Sequence, residues 1–301
     1  MSIFHSNGKL LITAEYLVLD GADALALPTK LGQSLTVEQI NAPIIKWQSL
    51  NENGQCWYTE EFKIDLGVPK QIEKDDISNR LSQIFEAIKT LNPKFFSRAN
   101  GYNITTSLDF PRDWGLGTSS TLINNLAQWA KVDPYDLLKL TFGGSGYDIA
   151  CAQNSKPITY QLKQERPLVK TVDFQPAFHS NLYFVHLNRK QNSREGIAYY
   201  KMHRHQHEMA ILEINAITQS IINCETLSEF ESLINRHEVI LAEVTNQIPV
   251  KHLLFNDFPG SMKSLGAWGG DFILVASEDN PYNYFRNKGY RTIIPYQDLI
   301  K

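Results

Sequence analysis

The sequence predicts an α+β protein of two domains, and three observations predict it. Strand-like runs crowd the first half of the chain, and long helical periodicities occupy the second. Strands and helices do not alternate in regular βαβ order. A length of 301 residues also exceeds what one hydrophobic core usually fills.

The segments Lys9–Leu19, Ser34–Gln39, Ile44–Ser49, Trp57–Ile64 and Tyr102–Leu108 are β-branched or aromatic runs between Gly, Pro and Asn breaks, and read as strands. Helices are predicted over Ser78–Leu91, from Ser119 onward, where apolar residues fall at 122, 123, 126, 129 and 130, and after Asp133-Pro134. Beyond Pro176 the order is a strand at Leu182–Leu187, a long helix at Ser193–Ile222 and a second helix at Leu227–Val244. Strands at Ser261–Leu265 and Phe272–Ala276, a helix at Pro281–Asn287 and a strand at Thr292–Ile294 follow. That order is compatible with a split βαβ, ferredoxin-like second domain. The boundary falls between residues 165 and 180, dividing the chain into domains 1–170 and 171–301.

Composition narrows the function classes. A net charge of -3 supplies no bulk attraction to nucleic acid or anionic lipid, so an anionic substrate must be held by local groups. The apolar run Leu10–Leu19 is interrupted by Glu15 and is too short to span a bilayer. It also lacks a basic leader and a small-residue cleavage site, and the expectation is a cytoplasmic protein without a membrane partner. Cys56, Cys151 and Cys224 form no CxxC pair, which points neither to a disulfide framework nor to a cysteine zinc site.

Three glycine-rich segments carry candidate chemistry. In Phe110-Pro-Arg-Asp-Trp-Gly-Leu-Gly-Thr-Ser-Ser-Thr121, two glycines and a run of hydroxyl residues lie between a strand and a helix. The first turn of a helix has unpaired N–H groups and a partial positive charge, so this is a candidate phosphate cradle. Thr118 or Ser119 can equally be an ordinary N-cap on a turn that binds nothing. In Phe142-Gly-Gly-Ser-Gly-Tyr-Asp-Ile-Ala150, glycines lead into Asp148 at a helix start, either as a cap or as a group that takes a proton from a substrate hydroxyl. Leu265-Gly-Ala-Trp-Gly-Gly-Asp271 is a strand connection that a hairpin turn also explains. Near the start, Asn7-Gly-Lys-Leu-Leu-Ile-Thr-Ala-Glu-Tyr16 sets Lys9 and Glu15 an even number of residues apart, hence on one side if the strand continues. No Walker A sequence occurs.

Together, in this order, these segments resemble the motifs of the GHMP kinases, the superfamily of galactokinase, homoserine kinase, mevalonate kinase and phosphomevalonate kinase. Gly8-Lys9 with Glu15-Tyr16 is similar to the first motif, P-G-K…G-E-[HY]. Gly115-Leu-Gly-Thr-Ser119 is similar to the second, P-x-x-x-G-L-G-S-S-A, and Gly266-Ala-Trp-Gly-Gly-Asp271 to the third, G-A-G-G-G. Ser145–Ala150 resembles the catalytic aspartate segment of phosphomevalonate kinases and a bacterial subgroup named for its Gly-Tyr-Asp-Ile-Ala string. Ala14 and Trp268 stand where the family usually has glycine; Thr118 and Ser120 replace Ser and Ala of the second motif.

The resemblance implies a ribosomal-protein-S5-like N-terminal domain, a ferredoxin-like C-terminal domain, and ATP with Mg²⁺ as cofactors. It implies that Gly115, Leu116, Gly117, Thr118, Ser119 and Ser120 wrap the ATP phosphates, with the Ser119 hydroxyl at the metal. Lys9 and Asp148 would be the catalytic pair, and Glu15 and Tyr16 would face the acceptor. The reaction implied is transfer of the γ-phosphoryl group to a hydroxyl or phosphate of an isoprenoid-pathway acid, phosphomevalonate or mevalonate, in a monomer or homodimer. The family's second metal-binding carboxylate has no clear counterpart; Asp136 is the available acid in that region.

Other features are open in the sequence. Arg189, Lys190, Ser193 and Arg194 can bind an acidic acceptor at a helix start, or form a solvated basic loop. Of His203, His205 and His207 only the first and last share a helical face, and no acidic or cysteine partner lies near in sequence, which disfavours a metal site. The competing functions are a nucleotide-binding protein without turnover, which retention of Lys9 and Asp148 disfavours, and a related diphosphomevalonate decarboxylase, which the Gly-Lys first motif disfavours. A serine hydrolase fails at the last position of its G-x-S-x-G elbow.

Overall fold

The structure is a computed structural model that describes residues 1–65, 67–71, 75–96, 100–190, 193–202, 207–268 and 270–301, with backbone alone at Gln71, Ser193 and Arg194. It is a mixed α+β fold, and the chain divides into two compact units. The first comprises Met1–Gly8, Leu31–Arg112 and Leu116–Gln153; the second comprises Lys9–Lys30, Asp113–Gly115 and Asn154–Lys301.

The first unit is built from parts of β1 (Ser2–Leu11) and β2 (Ala24–Ile40), with β3 (Ile44–Leu50), β4 (Cys56–Asp65), β5 (Val68–Gln71), α1 (Asp76–Leu91) and β6 (Gly101–Leu108). The helices α2 (Thr118–Ala130), α3 (Pro134–Thr141) and α4 (Tyr147–Gln153) complete it. Its strands run in the order β5-β4-β3-β6-β2. Most neighbours are antiparallel, but β3 and β6 are parallel. A parallel pair needs a crossover, and α1 lies in that connection. Its start is fixed by a capping box in which Asp75 accepts the Ser78 amide at 2.6 Å while the Ser78 hydroxyl accepts the Asp75 amide at 2.9 Å. Trp47, Phe62, Phe85, Ile123, Leu126 and Leu137 are buried in one core cluster.

The second unit contains β7 (Ile158–Lys163), β8 (Arg166–Thr171), β9 (Leu182–His186), α5 (Ser193–Met202), α6 (Glu208–Asn223), α7 (Leu227–Thr245) and α8 (Val250–Leu254). After these come β10 (Ser261–Ser264), β11 (Phe272–Ala276), α9 (Tyr282–Asn287), β12 (Ile293–Pro295) and α10 (Tyr296–Leu299). The strands order β10-β11-β9-β12, all antiparallel, which is the arrangement of a split βαβ sheet. The β7–β8 hairpin pairs with Ala24–Ala26 of β2. Phe255, Met262, Ile273, Val275 and Phe285 lie in the core cluster of this unit.

Two expected elements differ. The strand expected over Lys9–Leu19 ends at Leu11, because Ala14 and Tyr16 take φ of 66° and 62°, a left-handed backbone that breaks the pleat; residues 17–20 then form a 3₁₀ turn. Lys9 and Glu15 therefore do not share a strand face. The helix expected over Ser193–Ile222 is described as α5 and α6. His203 and His205 lie outside the described residues. The early half of β2, with β7, β8 and α8, is additional; Ala24-Leu-Ala-Leu27 is a strand of weak β-formers held by burial rather than propensity.

Candidate functional site

In the first unit, α2 is the element on which the candidate anion site depends. The chain leaves β6 through a pair of bonds that fix its path: the Asp109 carboxylate accepts the Gly32 amide at 3.0 Å, and the Asp109 amide donates to the Gly32 carbonyl at 3.0 Å. Leu116 is fully buried and anchors the loop. Gly117 is the N-cap, with φ 97° and ψ 38°, and no side chain caps the helix. The N-cap is thus neither Thr118 nor Ser119, and among the described residues no side-chain cap bonds the first-turn amides. Ser119 is exposed and Thr118 half-buried. The Ser120 hydroxyl is buried and donates to the Gly117 carbonyl at 2.9 Å, which leaves its backbone amide, not its side chain, for a ligand.

A buried polar network holds α2 from behind. The Thr121 hydroxyl donates to Gln33 Oε1 at 2.6 Å, and Asn125 Nδ2 donates to the Gln33 carbonyl at 2.9 Å. Ser6 Oγ joins Asn125 Oδ1 at 2.7 Å and Asn124 Nδ2 at 2.8 Å, and Gln153 Nε2 of α4 donates to Asn124 Oδ1 at 3.1 Å. Such a network, with its polar groups mutually satisfied, fixes a helix in one orientation. It also ties α2 to α4, which packs against it and carries Asp148 in its first turn.

Gly143, Gly144 and Gly146 precede α4 with φ of 65°, 105° and 87°, so the aspartate segment needs glycine at each of these turns. Asp148 is half-buried. Tyr135 of α3 faces it: burial, followed by the charges of Asp133, Cys151 and Asp148, pushes the Tyr135 phenol above its ordinary range and keeps it a neutral donor. The carboxylate of Asp133 is used as the α3 cap, accepting the Tyr135 and Asp136 amides at 2.8 and 3.1 Å. Asp136 is exposed and its neighbour Leu137 fully buried. Among the described residues no group of three His, Cys, Asp or Glu side chains could hold a metal ion.

The second unit carries the remaining motif residues. Lys9 is half-buried near the end of β1. Glu15, expected to face an acceptor, has a side chain with no exposed surface; Lys263 Nζ of β10 donates to its Oε1. Burial pushes the Glu15 carboxyl upward, and the Lys263 ammonium opposes this. The Tyr16 hydroxyl donates to the Ala267 carbonyl at 3.0 Å, and burial pushes its phenol up to about 12, so it stays protonated. A Cβ at Gly196 would lie 2.6 Å from the Tyr16 oxygen, so α5 must present glycine there. Both family-glycine positions that carry other residues retain a glycine-like backbone: Ala14 has φ 66° and Trp268 has φ 49°. Trp268 is buried, and its indole N–H has no hydrogen-bond partner among the described residues.

Gly115, with φ 67°, meets the third motif. A Cβ there would lie 2.4 Å from the Asp271 carboxyl carbon, and the Asp271 amide donates to the Arg189 carbonyl at 2.6 Å. A carboxylate at this glycine opposes an anion there. Arg189 and Lys190 are exposed, and Ser193 and Arg194 open α5. Lys263, Glu238 and His237 are site neighbours that the sequence reading missed. Their only local signal is a lysine inside the short strand that leads to the third motif.

No family model and no curated protein matches the chain. Solved structures do. It resembles the Methanococcus jannaschii mevalonate kinase with a TM-score of 0.68 at 15% identity, covering 97% of this chain and 96% of that one. It resembles the Streptococcus pneumoniae phosphomevalonate kinase, solved with phosphomevalonate and AMPPNP, with a TM-score of 0.69 at 14% identity, covering 96% and 98%. A D-glycero-D-manno-heptose 1-phosphate kinase from Bacteriodes thetaiotaomicron follows with a TM-score of 0.66 at 14% identity, covering 99% and 95%. Nearly the whole length of this chain therefore has the fold of the GHMP kinases, the superfamily its motifs resemble.

Proposed function

We propose that the protein is an ATP- and Mg²⁺-dependent small-molecule kinase acting on mevalonate, phosphomevalonate or a related acid in the cytoplasm. The observation that carries this reading is the α2 start: a helix N-terminus capped by a left-handed glycine and no side chain, braced against the helix that bears Asp148. Uncapped first-turn amides and the helix dipole suit a phosphate. Phosphoryl transfer asks the protein chiefly for positioning and charge neutralisation.

In this reading the Gly117–Ser120 amides hold the nucleotide phosphates and the exposed Ser119 hydroxyl reaches the metal. With no acidic cluster among the described residues to cage it, the metal would rest mainly on phosphate oxygens and water, as Mg²⁺ commonly does. Asp148 orients the acceptor hydroxyl and takes its proton, while Lys9 neutralises the charge that develops there. Arg189, Lys190 and Arg194 provide the positive charge an acidic acceptor requires, and Ser193 a hydrogen-bonding hydroxyl. Tyr16 borders the acceptor, and Glu15 acts from behind it through its buried pair.

A coupled ADP-release assay across mevalonate, phosphomevalonate, homoserine, galactose and heptose phosphate tests the reading. Acceptor-dependent ADP release is expected. Saturable ATP binding with no turnover on any acceptor would instead indicate a nucleotide-binding protein. Asp148→Asn is expected to lower kcat by about a hundredfold or more while sparing ATP affinity. Near-normal turnover would remove Asp148 from the role.

A further inference from the structure

The turn that carries Glu15 and Tyr16 rests on a buried ionic group whose charges do not balance. Lys263 Nζ donates to Glu15 Oε1 and, at 2.9 Å, to the Ser264 carbonyl, and it lies 3.7 Å from Glu238 Oε1. Glu238 Oε2 accepts the Ser264 hydroxyl at 2.9 Å. His237 Nε2 accepts the Ala14 amide at 3.0 Å and lies 3.6 Å from Glu15 Oε2. Accepting that bond requires the Nδ1–H tautomer, and burial holds the ring neutral. One ammonium therefore serves two carboxyls.

Three polar atoms of the cluster, Glu15 Oε2, Glu238 Oε1 and His237 Nδ1, have no hydrogen-bond partner among the described residues. A buried cluster with one excess negative charge is costly, and a proton on one carboxyl removes the excess. Glu15 holds the direct contact with Lys263, so the proton belongs on Glu238, whose carboxyl burial pushes up to about 7. The groups facing it are Glu15 from the turn, Lys263 and Ser264 from β10, and His237 from α7 itself. Tyr16 borders Glu15, and α6, packed on α7, adds Glu213 paired with Arg236 on the exposed side.

We propose that Glu238 is a positioning residue for the first-motif turn: it competes with Glu15 for Lys263, and losing its proton draws the ammonium away from Glu15 and loosens residues Ala14–Tyr16. The role in positioning an acceptor rests on the kinase reading above; the coupling of Glu238 to the turn does not. Tyr16 links the same turn to the Ala267 carbonyl, four residues beyond Lys263, so the third-motif loop moves with it.

Peptide-resolved hydrogen exchange of residues 11–19, corrected for intrinsic rates, tests the coupling between about pH 6 and 8.5. The wild type is expected to lose protection by about tenfold across this window, and Glu238→Gln, neutral throughout, is expected to show a flat profile. A flat wild-type profile overturns the proposal without requiring any variant to fold; an unchanged drop in Glu238→Gln overturns it as well. Given turnover, the acceptor KM is expected to rise over the same window while the ATP KM and kcat stay level, and Glu238→Gln is expected to abolish the rise. A pH-independent acceptor KM in a turning-over enzyme contradicts the positioning role. Absence of turnover contradicts only the kinase reading, and the exchange result still decides the coupling.

Discussion

The start of α2 and the turn at residues 13–16 are both motif segments, but they are built in opposite ways. At α2 the groups offered to a ligand are open: backbone amides without a cap and an exposed Ser119. At the turn the charged group is closed off, with Glu15 fully buried against Lys263 and the Ala14 amide held by His237. One segment presents its chemistry to solvent. The other buries its charge, so in the proposed kinase reading Glu15 acts on a substrate through backbone position rather than contact.

The sharpest way to break this contrast is Lys263→Met. If the turn is held by an ion pair, removing the ammonium strands buried carboxyls and is expected to cost about 3–5 kcal/mol of stability by urea unfolding. A loss below about 1 kcal/mol would mean that the pair is dispensable.

The pH dependence of stability comes next. Folding raises Glu238 from 4.5 to about 7, so between those values the folded protein binds more protons than the unfolded chain. Stability from this group is complete below pH 4.5, declines as pH rises through the window, and levels off above about 7. Urea titrations near pH 5 and pH 8 are expected to differ in the wild type by up to about 3 kcal/mol from this cause, and Glu238→Gln is expected to remove that slope.

The smallest effect is expected at α2. Gly117→Ala forces a Cβ onto a φ of 97° and is expected to cost about 1 kcal/mol in stability, with a weaker ATP affinity in equilibrium binding. Unchanged ATP affinity would detach the α2 start from the nucleotide.

How much of this was legible in the sequence follows from the same contrast. The second motif is contiguous: its strand, glycines, hydroxyls and apolar helix spacing lie within residues 102–130, so local periodicity and turn chemistry suffice to place it. The element order of the split βαβ sheet was also readable, because β9, β11 and β12 are short apolar runs between breaks; β10, Ser-Met-Lys-Ser, is not one. The Glu15 site was not. Its partners Lys263, His237 and Glu238 lie more than 220 residues away, and nothing local marks them as buried. Asn124 and Asn125 hid for a related reason. They look like the polar face of an amphipathic helix, yet both are fully buried in the network beneath α2. Local propensity did not mark left-handed Ala14, since a positive φ at alanine follows from tertiary contacts; its one sign was that the resembled motif has glycine there.

Phosphoryl transfer from ATP to a small acceptor is decided by ³¹P NMR of the wild-type protein with ATP, Mg²⁺ and each acceptor in turn. For a kinase, the γ-phosphate resonance of ATP is expected to decline while ADP and a new phosphoester or diphosphate resonance of the acceptor grow in equal measure. Intact ATP with every acceptor, or release of inorganic phosphate alone, would contradict it.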